Sequence, residues 1–295
     1  MEPVSLESLN AADRNSFVAV LGEVMEHSPW VAEAAFAARP FADVTALHRA
    51  MVDAVRDASD ARKLDLIKAH PELAGKVARE QGLTAASAAE QESAGLDRLS
   101  DEEFASFHRL NNAYRAKFDI PFIICVRRHG KDSILRQFAE RLNNTASAER
   151  DAALTEIFRI AALRIDQTVD APERLKVHGR LSTHVLDTHG GHPAAQVAVE
   201  LYEIAANGTS RLIVRGTTNT DGRTDRPLIL GRPIPVAVYE LRFAIGAYFE
   251  RQGAKAADPP FLDVVPVRFA VAEPESQYHV PLLVTPWSYC TYRGS

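Results

Sequence analysis

The feature that most constrains this chain is a change of hydrophobic rhythm across the stretch RIDQTVDAPERLKVHGRL, residues 164–181. Upstream of it apolar residues recur at helical spacing; downstream they alternate, as in strands that bury one face. The punctuation changes at the same place. Residues 1–170 hold 5 of the 16 Pro and 5 of the 15 Gly, leaving 11 Pro and 10 Gly for the last 125 residues. Long helices tolerate few such breakers, whereas a strand-and-turn domain needs them. One core cannot follow both rhythms. The reading is therefore an all-α domain over 1–170, a linker over 171–177 and an all-β domain over 178–295. At 295 residues in total, each part is long enough to bury a core of its own.

Charge excludes one class of partner. Residues 1–170 carry 21 Lys+Arg against 27 Asp+Glu, and the rest carry 13 against 12, so neither half has the basic excess that nucleic-acid binding requires. Cys125 and Cys290 are the 2 cysteines, one in each half, which argues against a disulfide framework and for a reducing compartment. The opening MEPVSLESLNAADR has acidic residues and no apolar segment of a secretory signal. No run approaches the roughly 18 apolar residues of a membrane helix. The expectation is a cytoplasmic protein with no membrane span.

In the first half, Ser5 and Asn10 offer helix caps before Phe17, Val18 and Leu21. Leu64, Leu66 and Ile67 then lead to His70-Pro71-Glu72-Leu73-Ala74-Gly75-Lys76. Proline disfavours helical geometry in the residue before it, so His70 should sit where one helix stops. It can serve there as a helix cap or as a positioned functional group. Ser87 and Glu90 stand three apart, the spacing of a capping box, which by itself could explain both. Phe118–Arg127 contains a continuous apolar run that suits a buried extended segment whose backbone groups need partners. Arg164 falls on the margin of the last apolar helical stripe, free to reach water or a cleft.

Together, HPELAGK, LTAASAAEQESAGLDRL, FHRLNNAYRAKFDIPFIICVR and IAALRI resemble the OHCU decarboxylase family, over roughly residues 5–168. The resemblance implies an all-helical fold and decarboxylation of 2-oxo-4-hydroxy-4-carboxy-5-ureidoimidazoline (OHCU) in the degradation of urate to allantoin. It implies His70, Glu90 and Arg164 as the catalytic group. Pro71, Ser87, Gln91 and the run Phe122, Ile123, Ile124 and Cys125 become substrate contacts. The chemistry suits these residue types. The electrons left by CO₂ can delocalise into the heterocycle, so no cofactor is expected. A histidine that titrates near neutral pH can move a proton, an arginine can offer a planar fork to an oxyanion or carbonyl, and a glutamate can accept ureide N–H groups or tune the histidine.

The second half reads as an antiparallel sandwich of about eight strands with one short helix near Gly246–Arg251. LSTHVLDTHGGHPAAQVAVELY, TNTDGRTDRPL and YHVPLLVTPWSYCTYRGS resemble the transthyretin-like 5-hydroxyisourate hydrolases. The resemblance implies His184, Arg223, His279 and Ser295 as catalytic and Tyr292, Arg293 and Gly294 as substrate contacts, in a site that opens at a subunit interface of a tetramer. Two positions depart from the pattern: Gln277 stands where many members have a histidine two before His279, and Cys290 stands where serine is usual. Paired histidines can also hold zinc, but Gln277 removes a His-x-His pair and no third ligand of suitable spacing is evident, so no metal is expected.

The two resemblances name consecutive reactions. The joint expectation is a bifunctional enzyme that hydrolyses 5-hydroxyisourate to OHCU and decarboxylates OHCU to (S)-allantoin. Its expected partners are those small molecules and further copies of itself, as a tetramer through the C-terminal domain with dimer contacts through the N-terminal one. The alternative is one active domain beside a non-catalytic ligand-binding or oligomerisation module.

Overall fold

The computed structural model describes residues 3–74, 84–96, 98–254 and 257–294. The chain divides into two compact units, Met1–Arg127 with Ser133–Val177, and Arg128–Asp132 with His178–Ser295.

The first unit is helical. Its helices are α1 (Leu6–Ala11), α2 (Arg14–Leu21), α3 (Pro29–Ala35), α4 (Val44–Arg56), α5 (Asp60–Lys68), α6 (Ala85–Ser93), α7 (Asp101–Phe118), α8 (Lys131–Arg141), whose first residues group with the second unit, and α9 (Ala146–Thr168). Most begin where a short polar side chain accepts the N–H three residues on: Ser5, Asp13, Asp43, Ser59, Thr84, Ser100 and Thr145. Asn10 is not a cap. It lies within α1, and its amide brackets the backbone of Phe41, donating to the carbonyl at 2.9 Å and accepting from the N–H at 2.8 Å.

The expected capping box at Ser87 and Glu90 is also displaced. Thr84 caps α6, so Ser87 and Glu90 lie inside the helix with their side chains released for other partners, and the box forms instead between Ser100 and Glu103. Strands β1 (Val4–Ser5) and β2 (Val169–Asp170) pair in parallel and tie the start of the unit to the end of α9. From Ile160 to Ile165 every residue of α9 is buried, so Arg164 is not at the margin of a stripe but within a helix enclosed on all sides. The stretch 171–177 packs on this unit: Ala171 and Leu175 are buried in its core, and Arg174 donates to both carboxylate oxygens of Asp166.

The second unit is a sandwich of two sheets. Its strands are β3 (Gly179–Asp187), β4 (His192–Pro193), β5 (Ala198–Ile204), β6 (Ser210–Thr217), β7 (Ile229–Arg232), β8 (Ala237–Ala244), β9 (Val264–Val271), β10 (Gln277–Val284) and β11 (Tyr289–Thr291). One sheet runs β6-β5-β8-β9; the other runs β11-β10-β3-β4 with β7 also on β3. The inner faces meet over Val185, Leu201, Leu241, Phe243 and Leu282. Helix α10 (Ile245–Arg251) follows β8. The all-antiparallel expectation fails at one place. Strands β3 and β10 are parallel, because β10 follows β9 of the opposite sheet and enters alongside β3 from the same end.

Candidate active sites

In the first unit the C-terminal end of α5 delivers His70. Its Nδ1 lies 2.9 Å from the Leu66 carbonyl oxygen, which can only accept, so Nδ1 carries the hydrogen and Nε2 is left as an acceptor. That Nε2 is buried without a hydrogen-bond partner. Burial lowers the pKa of His70 to about 4, the Leu66 bond and the charge of Glu26 opposing this and Arg164 and His27 adding to it. A neutral imidazole with a bare nitrogen lone pair therefore faces a pocket lined by Pro71, Ser87, Glu90, Gln91 and Arg164, with Phe122, Ile123 and Ile124 opposite.

Arg164, also buried, sits at the centre of an ion network. Its Nε and Nη2 each donate to one oxygen of Glu90, both at 2.9 Å, a bidentate pair that sets the plane of the carboxylate. Nη2 also donates to Ser87 Oγ at 3.0 Å, and Nη1 donates to Glu26 Oε2 at 2.8 Å. The remaining hydrogen has only long contacts to the carbonyls of Glu23 and Val24, at 3.4 and 3.5 Å. The fork expected to face a substrate is thus turned onto protein carboxylates, since a guanidinium removed from water requires counter-charge and filled hydrogen bonds. Gln91 reaches back to the turn after His70, its Oε1 accepting from Ala74 N–H at 3.1 Å and its Nε2 donating to the Glu72 carbonyl at 3.4 Å.

The segment 121–125 is neither helix nor strand. Two buried charged side chains hold its backbone: Arg141 donates to the Ile123 carbonyl at 2.7 Å, and Glu156 accepts from Cys125 N–H at 2.8 Å. Arg141 in turn pairs with the fully buried Glu149, which also accepts from Tyr114. Cys125 is not part of the pocket lining; it anchors the segment through its N–H.

Glu26 was not among the sequence candidates. The available signal was a pair of acidic side chains, Glu23 and Glu26, in the approach to Ser28-Pro29-Trp30, too common a pattern to single out one of them.

In the second unit the site lies on the outward face of the β3–β10 pair. Alternation puts Ser182 and His184 on one face of β3, and the register places His279 opposite Ser182. His279 Nδ1 and Ser182 Oγ are 3.0 Å apart. The turn after β6 brings in Arg223, which bridges His184 in antiparallel fashion, so the two side chains share a face. Gly222 makes this possible. Its φ is +72°, and a Cβ there would lie 2.3 Å from the Val185 carbonyl oxygen and 3.1 Å from His184 Cδ2. Asn219 braces the turn, its Oδ1 accepting the N–H groups of Asp221 and Arg223.

His184 Nε2 is buried without a hydrogen-bond partner. Burial, then the charge of Arg223, lowers the pKa of His184; the same two causes, followed by His184 and Arg180, lower that of His279. Both rings are thereby biased to the neutral form that can accept a proton. The chain's end folds over this face: Gly294 N–H donates to the His279 carbonyl at 2.8 Å, and a Cβ on Gly294 would stand 2.7 Å from His279 Cδ2. Arg293 is not brought to the histidines. Its guanidinium lies over the Tyr278 ring, 4.8 Å from the centroid. Tyr292 is exposed, Ser295 lies outside the described residues, and Gln277 occupies the exposed position opposite Arg180. Among the described residues no group of three or more His, Cys, Asp or Glu could hold a metal ion. Nor, among them, is any helix long and apolar enough to cross a membrane.

Comparison with known proteins follows the same division. The model of the OHCU decarboxylase family matches residues 10–166, and that of the HIUase/Transthyretin family matches residues 181–294. The 2-oxo-4-hydroxy-4-carboxy-5-ureidoimidazoline decarboxylase of Haloferax volcanii is 42% identical over 165 residues, 56% of this chain and 96% of that protein. The 5-hydroxyisourate hydrolase of Halalkalibacterium halodurans is 51% identical over 117 residues, 40% of this chain and 98% of that protein. A crystal structure of (S)-allantoin synthase matches with a TM-score of 0.52 and 33% identity, covering 99% of this chain and 100% of that one.

Proposed function

The chain belongs to the OHCU decarboxylase family through residues 10–166 and to the HIUase/transthyretin family through residues 181–294, and on that premise we propose how its residues divide two consecutive reactions of urate degradation. It is a bifunctional enzyme: one part hydrolyses 5-hydroxyisourate to OHCU, and the other decarboxylates OHCU to (S)-allantoin. We assign the decarboxylase to residues 1–170 and the hydrolase to 178–295, with 171–177 between them. The observation that carries the assignment of residues is shared by both sites. In each, a buried imidazole nitrogen, His70 Nε2 or His184 Nε2, has no hydrogen-bond partner, a condition a folded protein tolerates where a ligand supplies the partner.

For hydrolysis, a neutral His184 or His279 takes a proton from water as its oxygen adds to the ring carbonyl. Arg223 faces the developing oxyanion, and collapse of the adduct breaks the ring C–N bond and returns a proton to the leaving nitrogen. Ser295 is assigned to placing the water or substrate, with Tyr292 and Gly294 forming the rim. For decarboxylation, the electron pair released with CO₂ enters the ring as a C4–C5 double bond, and the imine nitrogen takes up a proton. The C4 hydroxyl then loses its proton as C5 gains one, which forms the C4 carbonyl and the stereocentre of allantoin. His70 Nε2, an acceptor at neutral pH, is assigned the hydroxyl proton. Glu90, held flat by Arg164, is assigned the ureide N–H groups. Pro71, Ser87, Gln91 and residues 122–124 shape the wall. No cofactor is assigned to either step.

We further propose a cytoplasmic homotetramer assembled through the β-unit, with additional dimer contacts through the helical unit. The low cysteine count, 2 in the whole chain with one in each half, supports the compartment, and the exposed Trp287, Tyr289 and Tyr292 beside the edge strand β11 support self-association.

The test feeds freshly generated 5-hydroxyisourate to the intact protein and follows ultraviolet absorbance and circular dichroism together. Decay of both intermediates with appearance of optically active allantoin is the expected result. Accelerated loss of the first intermediate alone, with racemic product, would instead make the helical unit a non-catalytic module.

A further inference from the structure

Arg164 has five N–H hydrogens, and the two carboxylates and one hydroxyl around it take all but the one left to long carbonyl contacts. Glu90 is one of those carboxylates and lines the pocket. The other, Glu26, is fully buried and does not line it. Glu26 nonetheless holds three separate parts of the site. Its Oε1 accepts from Thr84 Oγ1 at 2.7 Å, at the cap of α6. Its Oε2 accepts from Ser87 Oγ at 2.9 Å and from Arg164 Nη1 at 2.8 Å. The loop before α3, the start of α6 and the C-terminal part of α9 thus converge on one carboxylate.

We propose that Glu26 is a positioning residue of the decarboxylation step: by holding Nη1 of Arg164 and the hydroxyls of Thr84 and Ser87, it fixes the guanidinium so that its other edge carries Glu90, and Arg164 serves as the mount of Glu90 rather than as a substrate ligand. The inference rests on the assignment of the decarboxylase site above and goes beyond it by changing the role of Arg164. Chemistry favours this division. A lone Glu90 would leave Nη1 of a buried guanidinium without an anionic partner, and the fork could rotate toward any carboxylate that entered, the substrate's included. A second carboxylate makes the rotation unfavourable. With His70 neutral, the group of Glu26, Glu90 and Arg164 carries one net negative charge, so it is not a trap for the carboxylate that must leave as CO₂.

Glu26 also acts on His70. The groups that bear on that ring are Glu26, which favours its protonated form, and Arg164 and His27, which oppose it, with Glu90 partly neutralising Arg164. Removing the Glu26 charge should push the His70 pKa lower still.

The test uses the full-length protein with OHCU generated in situ by a separately supplied 5-hydroxyisourate hydrolase. Glu26→Gln keeps shape but removes the charge and replaces one of the two acceptor oxygens with an amide donor. The expected result is a fall in kcat for decarboxylation of about tenfold or more, the worth of a hydrogen bond to a charged group, with KM changed less than threefold because Glu26 touches no substrate. The acid limb of kcat should move to lower pH, and Glu26→Asp should restore its position better than it restores kcat. The variant's own hydrolysis of 5-hydroxyisourate reports whether the chain is intact. A Glu26→Gln protein with wild-type kcat and an unmoved acid limb would overturn the proposal, as would a rise in KM at constant kcat. Should that variant fail to fold, Thr84→Val removes one hydroxyl from the same carboxylate; a smaller fall in kcat at constant KM supports the proposal, and unchanged kcat overturns it. If the wild-type protein does not turn over OHCU, the site assignment itself fails.

Discussion

Replacing His70 by Asn tests the lowered pKa of this buried ring through stability instead of rate. The asparagine amide can still donate to the Leu66 carbonyl, but nothing is left to protonate. In the wild type the ring has an ordinary value of 6.5 when unfolded and about 4 when folded. A pKa lowered on folding means that the unfolded chain binds the proton more tightly, so His70 contributes fully above the unfolded value and that contribution is lost as pH falls through 6.5 toward 4. Between pH 8 and pH 5 those two values give a loss of about 2 kcal/mol from this one group, and pH 5 lies above the ordinary 4.5 of Glu26, most of whose own loss comes at lower pH. The assay is urea unfolding at the two pH values in a Trp287→Phe background, where Trp30 reports the helical unit alone. Whatever the substitution does to absolute stability cancels in the comparison. The wild type should lose about 2 kcal/mol more than His70→Asn on going from pH 8 to pH 5. Equal losses in the two proteins would mean that the imidazole is not excluded from water, and the argument for a bare Nε2 acceptor would fall with it.

Four further outcomes follow. Gly294→Ala places a methyl against the His279 ring and should reduce hydrolysis by about tenfold while leaving decarboxylation within twofold, as separate initial rates would show. His279→Ala should abolish the first step and spare the second, and a C-terminal affinity tag should impair only the first; normal hydrolysis by the tagged protein would remove Ser295 from the site. Arg141→Met leaves the fully buried Glu149 without its cation, so it should destabilise the helical unit by about 3–5 kcal/mol in denaturant unfolding and weaken decarboxylation in whatever fraction stays folded.

The sequence carried more of the architecture than of the roles. Periodicity and the distribution of Gly and Pro located both units, because the cores themselves impose those patterns. Sheet direction was not legible: β3 and β10 are parallel, yet nothing in their own alternation distinguishes that from the antiparallel expectation. Motif positions in the helical unit led to residues that do meet, with His70, Ser87, Glu90, Gln91 and Arg164 around one pocket. The direction in which Arg164 spends its hydrogens was hidden, since it depends on Glu26, far away in sequence. Local reading also misplaced the cap of α6, where Thr84 and Ser87 compete and only the folded chain decides between them. In the β-unit, Arg223 was recognisable as a motif residue, but its approach to His184 depends on the absence of a side chain at Gly222.

One arrangement bears on how this enzyme can be dissected. Around Ile123 and Cys125 the groups held in place are main-chain carbonyl and amide, gripped by Arg141 and Glu156. Systematic truncation of side chains leaves a peptide group intact at every position, so such a scan would score this stretch as tolerant even if it reads the substrate directly. Its contribution would surface at a distance, in variants of the two anchors, or through amide-to-ester replacement by chemical ligation.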